Sequence, residues 1–177
     1  MIEIEQRLIK QEHWPRKCPV SIIPRYITIH EMNTWQDAEA CAKYAARSLN
    51  PSTAHIYVDE CQAIQIIPLD RCAQACGDRD GSGNRESISI EICRSEAPGN
   101  LYYQAMANTI VLVKQLMDQL QIAPDHVVRH YDWTGANCPK RMLKEGLWSV
   151  FLRSLFDEKG GTYDQLSLQC QYHRLRQ

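Results

Sequence analysis

Apolar and polar positions alternate most cleanly at 86–93 (ESISIEIC), where Ile88, Ile90 and Ile92 fall on one face and Ser87, Ser89 and Glu91 on the other. Period-two alternation of this kind predicts a β-strand. A second strand is predicted at 25–30 (RYITIH), rich in β-branched residues. Two more, at 55–60 (HIYVDE) and 63–69 (AIQIIPL), are separated by only two residues and read as a hairpin. A short strand is predicted at 126–130 (HVVRH).

Helical spacing is strongest over 101–122, where Tyr102, Met106, Ile110, Val113, Leu116 and Leu120 form one stripe. Another helix is predicted from a Thr34 cap to about Leu49, with Trp35, Ala38, Ala42, Ala45 and Leu49 inward and Asn50-Pro51 ending it. A last helix is predicted over about 140–157, carrying Leu143, Leu147, Phe151 and Leu155. Residues 1–24, punctuated by Pro15, Pro19 and Pro24, read as an irregular lead-in, and Gly160-Gly161 opens a tail. Strands alternating with helices around a central hairpin predict an α/β fold: a central mixed β-sheet flanked by helices. At 177 residues the chain suits a single domain, placed at 1–157 with a tail at 158–177.

Composition narrows the function classes. Hydrophobic residues make up 44% and charged residues 23%, and the formal net charge is −1. That balance gives no electrostatic case for nucleic acid or a membrane surface as partner. The N-terminus lacks the apolar core of a secretory leader, which predicts synthesis in a cytoplasm. There are eight cysteines. The chain is long and apolar enough not to need disulfide staples, so six or seven of them are expected to be buried thiols.

Several residues carry candidate chemistry. His30 and His130 end predicted strands, and Cys138 follows the second after a turn. Two imidazoles and a thiolate make a zinc set with an open fourth position, the pattern of a catalytic rather than a structural site. Each of the three, taken alone, is more readily read as an ordinary hydrogen-bonded residue, and His30 and His130 lie far enough apart in sequence that only the fold can bring them together. Glu91 reads either as a general base or as a paired strand carboxylate. His55, at a strand start, points into the same cleft or is a satisfied core histidine. The loop 77–85 (GDRDGSGNR) lacks the spacing of an EF-hand or a P-loop. Cys72 and Cys76 have no second cysteine pair to complete a structural zinc site.

Five segments, in this order, resemble the zinc-dependent N-acetylmuramoyl-L-alanine amidases of the type 2 family, whose fold is shared by phage endolysins, autolysins and peptidoglycan recognition proteins. They are YITIHEMNT (26–34), SxAHIYVDE (52–60), IPLDRCAQACGD (67–78), GSGNRESISIEIC (81–93) and VVRHYDWTGANCPKRM (127–142). The resemblance implies a Zn2+ ion held by His30, His130 and Cys138, Glu91 as the catalytic carboxylate, and His55 as a substrate or cleft-wall residue. It implies a hydrolase cutting the bond between N-acetylmuramic acid and L-alanine in bacterial peptidoglycan, as in a phage or prophage endolysin that reaches the cell wall after release. A non-catalytic peptidoglycan-binding module and an anhydro-muropeptide amidase are the alternatives on the same fold. One departure stands out: endolysin-type members often carry Lys or Arg two residues before the ligand cysteine, where this chain has Ala136. Zinc, with a neighbour such as Lys140 or Arg129, is then left to stabilise the oxyanion.

Overall fold

The computed structural model describes residues 1–156. Six strands form one mixed sheet: β1 (Ile4–Gln6), β2 (Tyr26–Glu31), β3 (Ile56–Val58), β4 (Ala63–Gln65), β5 (Ser87–Ile92) and β6 (Val127–Arg129), in the order β1-β4-β3-β5-β2-β6. Only the β3–β4 hairpin pairs antiparallel; every other neighbour is parallel. The helices are α1 (Trp14–Lys17), α2 (Ala38–Arg47), α3 (Ser82–Arg85), α4 (Leu101–Leu120), α5 (His130–Thr134), α6 (Lys140–Lys144) and α7 (Trp148–Phe156). No helix among the described residues is long and apolar enough to cross a membrane.

The two sheet faces are divided by the pleat. Register pairs Ile27 with Ile88, Ile29 with Ile90 and Ile90 with Ile56, so these side chains share one face. That face packs on α4 and α7 through Met106, Ile110, Val113 and Phe151, all fully buried. The opposite face carries Thr28, His30, Ser87, Ser89 and Glu91. Over β3 and β4 it is covered by α2, with Ala38, Cys41, Ala42 and Ala45 against Tyr57 and Ile64. Both faces are therefore buried, and the serines of β5 sit in the interior rather than in solvent. Ser87 meets this by sharing a 2.6 Å hydrogen bond with the Thr28 hydroxyl.

The structure alters four sequence expectations. The lead-in is not wholly irregular, because Ile4–Gln6 adds an edge strand and Trp14–Lys17 a helical turn. The first long helix is capped by Asp37, whose carboxylate accepts the Ala40 N–H at 2.8 Å, and not by Thr34, whose hydroxyl accepts from Gln36. Trp35 and Leu49 consequently lie outside that helix, 67% and 79% exposed. The last helix is two, broken at Gly146, where the left-handed φ of +67° ends one helix before the next begins. Residues 77–85 are not all loop, since Ser82–Arg85 forms a turn of helix. The tail 158–177 lies outside the described residues.

Candidate metal centre

The sheet brings three distant segments to one end. His30 is the penultimate residue of β2, fully buried, and pairs across the ladder with Glu91 of β5. β6 runs beside β2, so the chain leaves it next to His30, and His130 is the first residue of α5 rather than the last of the strand. The two imidazole centroids stand 4.7 Å apart. Cys138 returns from the loop between α5 and α6, and one donor atom from each of His30, His130 and Cys138 lies within 4.8 Å of the others.

Hydrogen bonds select which atoms are free to bind. His130 Nε2 lies 2.8 Å from the Cys76 carbonyl, which can only accept. The proton is therefore on Nε2, and the Nδ1 lone pair is free, the usual way a ligand histidine is oriented. His30 presents Nδ1 to Cys138 Sγ at 4.0 Å and Nε2 to Cys76 Sγ at 3.7 Å. Burial, with the positive charge His130 and His55 would add, holds the His30 pKa well below the usual imidazole range, so the ring is neutral and ready to ligate. Cys138 receives the Glu31 N–H at 3.4 Å, and its carbonyl receives the Tyr131 N–H at 2.9 Å. Burial and the Glu91 charge push its thiol up to about 12. A bound divalent cation would reverse that preference and hold the thiolate.

Glu91 is the group left over. Its Oε2 is shielded from solvent and has no hydrogen-bond partner. Burial first, and the Glu31 charge second, raise its pKa to about 8. An orphaned carboxylate oxygen next to two imidazoles and a thiol is a donor set that suits a zinc ion and a water.

The remaining expected residues fall elsewhere. His55 is wholly buried; its Nδ1 accepts the Ser89 N–H at 2.9 Å and its Nε2–H donates to the Arg71 carbonyl at 2.8 Å. No ring atom is left over for another partner. Arg129 is engaged by Asp132, with Nε 3.0 Å from Oδ2, and lies over the Tyr131 and Trp148 rings. Lys140 is exposed and lines a separate cavity of about 340 Å³ with Lys144 and Glu96. Of the seven described cysteines, all free, five are buried, Cys61 is exposed and Cys138 is partly buried. Cys72 and Cys76 belong to no metal cluster among the described residues. Sequence reasoning weighed Cys76 only as a thiol and did not find its carbonyl's role in orienting His130. Nor did it find Trp133, whose indole N–H donates to Thr28 Oγ1 at 2.9 Å and packs α5 on the sheet.

Comparison with known proteins identifies the family and the fold. The family described as N-acetylmuramoyl-L-alanine amidase matches residues 20–141. The chain is 37% identical over 163 residues to the N-acetylmuramoyl-L-alanine amidase XlyB of Bacillus subtilis, covering 90% of this chain and 51% of that protein. It superimposes on PlyL with a TM-score of 0.86 at 42% identity, covering 87% of this chain and 97% of that one. The PlyG catalytic domain gives 0.84 at 43% identity, covering 87% and 93%. The chain spans about half the length of the curated relatives it matches.

Proposed function

The chain belongs to the N-acetylmuramoyl-L-alanine amidase family, and from that premise we propose that it is a zinc-dependent hydrolase cutting the amide between N-acetylmuramic acid and L-alanine in bacterial peptidoglycan. Its place of action is then the cell wall, in the manner of an endolysin, and the catalytic unit is residues 1–157. The observation that carries the reading is the convergence of His30, His130 and Cys138 donor atoms within 4.8 Å, beside the unpartnered Glu91 oxygen.

The roles follow from the contacts. His30, His130 and Cys138 would hold the metal: His30 as a neutral imidazole, His130 through the nitrogen that the Cys76 carbonyl leaves free, Cys138 as thiolate. Zinc bound there supplies a Lewis acid that polarises a carbonyl and lowers the pKa of a water. Glu91 takes the proton of the attacking water on its free oxygen and passes it to the departing L-alanine amine; burial raises its carboxyl towards the working pH, and a cation bound beside it would favour the carboxylate that the first task needs. Ala136 provides no cation at its position, so a zinc ion held by His30, His130 and Cys138 would be the group available to stabilise transition-state charge. His55, with both nitrogens bonded to backbone, holds β5 and the Arg71 loop behind His30.

Digestion of purified cell walls tests the reading. Wild type should release L-alanine amino groups without new reducing sugars. Glu91→Ala should retain zinc and lose roughly 10²–10⁴-fold in rate, the range for a positioned proton-transfer group. Release of reducing sugars instead, or a fully active Glu91→Ala, would refute it.

A further inference from the structure

The carboxylate of Glu31 has no part in the proton transfer above, yet it is 4% exposed and fully engaged. Oε1 accepts the Tyr102 hydroxyl and the Met142 N–H, the latter at 3.1 Å; Oε2 accepts the Arg141 N–H at 2.6 Å. Those two N–H groups belong to the first turn of α6, which no side chain of its own cap satisfies. The Arg141 side chain locks the same turn from outside. Its Nε reaches Glu145 at 3.0 Å, its Nη1 reaches the Ser95 carbonyl at 3.1 Å, and its guanidinium lies 4.4 Å over the Tyr102 ring.

Position in the chain gives this cluster its meaning. Glu31 directly follows His30 on β2, and the turn it holds begins two residues after Cys138. Its backbone N–H also donates to Cys138 Sγ. One residue therefore ties the strand that supplies one ligand to the segment that supplies another, from the opposite face of the sheet. A carboxylate is suited to this where an amide is not. It presents two acceptors to three donors, and an amide would set its NH2 against one of the helix N–H groups whichever way it turned.

We infer that Glu31 is a positioning residue for the metal centre, fixing Cys138 at ligand distance from His30 by holding the first turn of α6. This rests on the proposed assignment of His30, His130 and Cys138 as zinc ligands. Residues that orient ligands in this way are typically worth 10- to 100-fold in metal affinity.

The test is zinc affinity, measured on the 177-residue chain by competition with a chromophoric chelator, for wild type, Glu31→Gln and Tyr102→Phe. Unfolding temperatures of the metal-free and zinc-loaded forms are measured alongside. Glu31→Gln should bind zinc about 10- to 100-fold more weakly, and Tyr102→Phe, which removes one of three donors, should weaken it less. The zinc-dependent rise in unfolding temperature should shrink in step. A purely structural role lowers both unfolding temperatures alike and leaves zinc affinity unchanged; that result overturns the inference and leaves the proposed function standing. If Glu31→Gln does not fold, Tyr102→Phe decides, with unaltered zinc affinity overturning the inference. Wild type that takes up no zinc overturns the proposed function and this inference with it.

Discussion

His55 makes acid stability a measurable property of this fold. The ring is wholly buried, and its Nδ1 must stay unprotonated to accept the Ser89 N–H. Burial lowers its pKa from 6.5 to about 4, the hydrogen bond to Arg71 recovering only part of the loss. Because the folded pKa lies below the unfolded one, the unfolded chain takes up the proton more readily. The stabilisation is therefore complete above about pH 7 and is lost as pH falls from 6.5 towards 4. A gap of about 2.5 pH units, at about 1.4 kcal/mol each, amounts to about 3 kcal/mol in all, of which about 2 kcal/mol is gone by pH 5. The perturbation is His55→Gln, which keeps one acceptor and one donor near the same places but does not titrate. Urea unfolding of metal-free wild type and variant, followed by circular dichroism from pH 7.5 to 5, isolates the effect. Groups common to both cancel, apart from the repulsion between His55 and His30. The wild-type advantage should contract by about 2 kcal/mol over that range. Parallel curves, or a His55 resonance titrating near pH 6.5, would refute the reasoning.

Two further outcomes follow from the site. Gly83→Ala would bring a Cβ to 2.9 Å from both Cys76 Cβ and Trp133 Cδ1, and to 2.7 Å from Asp78 Oδ2. It should cost about 1–3 kcal/mol in chemical denaturation and, by displacing Cys76, weaken zinc binding; a neutral substitution would show that the loop yields freely. Cys138→Ala removes the thiolate while leaving the two imidazoles, so added zinc should no longer raise the unfolding temperature; an undiminished rise in a thermal melt would remove Cys138 from the ligand set.

The strands that carry the site were legible because both faces of the sheet are buried in a patterned way. The Ile88, Ile90, Ile92 alternation marks β5 within one residue at each end, and the apolar stripe of α4 marks its start at Leu101. What escaped is held by backbone or decided by competition. β1 contributes three residues of ladder hydrogen bonds at a sheet edge and buries little side chain, so Ile4–Gln6 leaves almost no apolar trace. At the start of α2, Thr34 and Asp37 are both capping types. Which one caps depended on where β2 delivers the chain, and sequence alone does not state that. The break at Gly146 was visible as a glycine, but one glycine does not by itself end an amphipathic stripe.

The site divides in the same way. No spacing rule joins His30 to His130 and Cys138, because parallel β2–β6 pairing is what makes them neighbours; the five family-like segments did that work at the sequence level. Glu91 and Glu31 show why one carboxylate was noticed and the other was not. In SISIEI, Glu91 continues the polar face of its strand, a pattern that leaves a general base and a paired strand carboxylate equally open, and the family-like segment drew attention to it. In YITIHE, Ile27 and Ile29 set an apolar face, and Glu31 falls at the next position on it. A carboxylate that breaks an apolar face must find donors inside the protein or destabilise it, so it implies a satisfied network where an exposed or face-conforming glutamate implies nothing. Tyr102 and the first turn of α6 are that network. The violated alternation, one residue beyond the candidate ligand His30, is the signal in the sequence that marks Glu31 as a residue needing such a network.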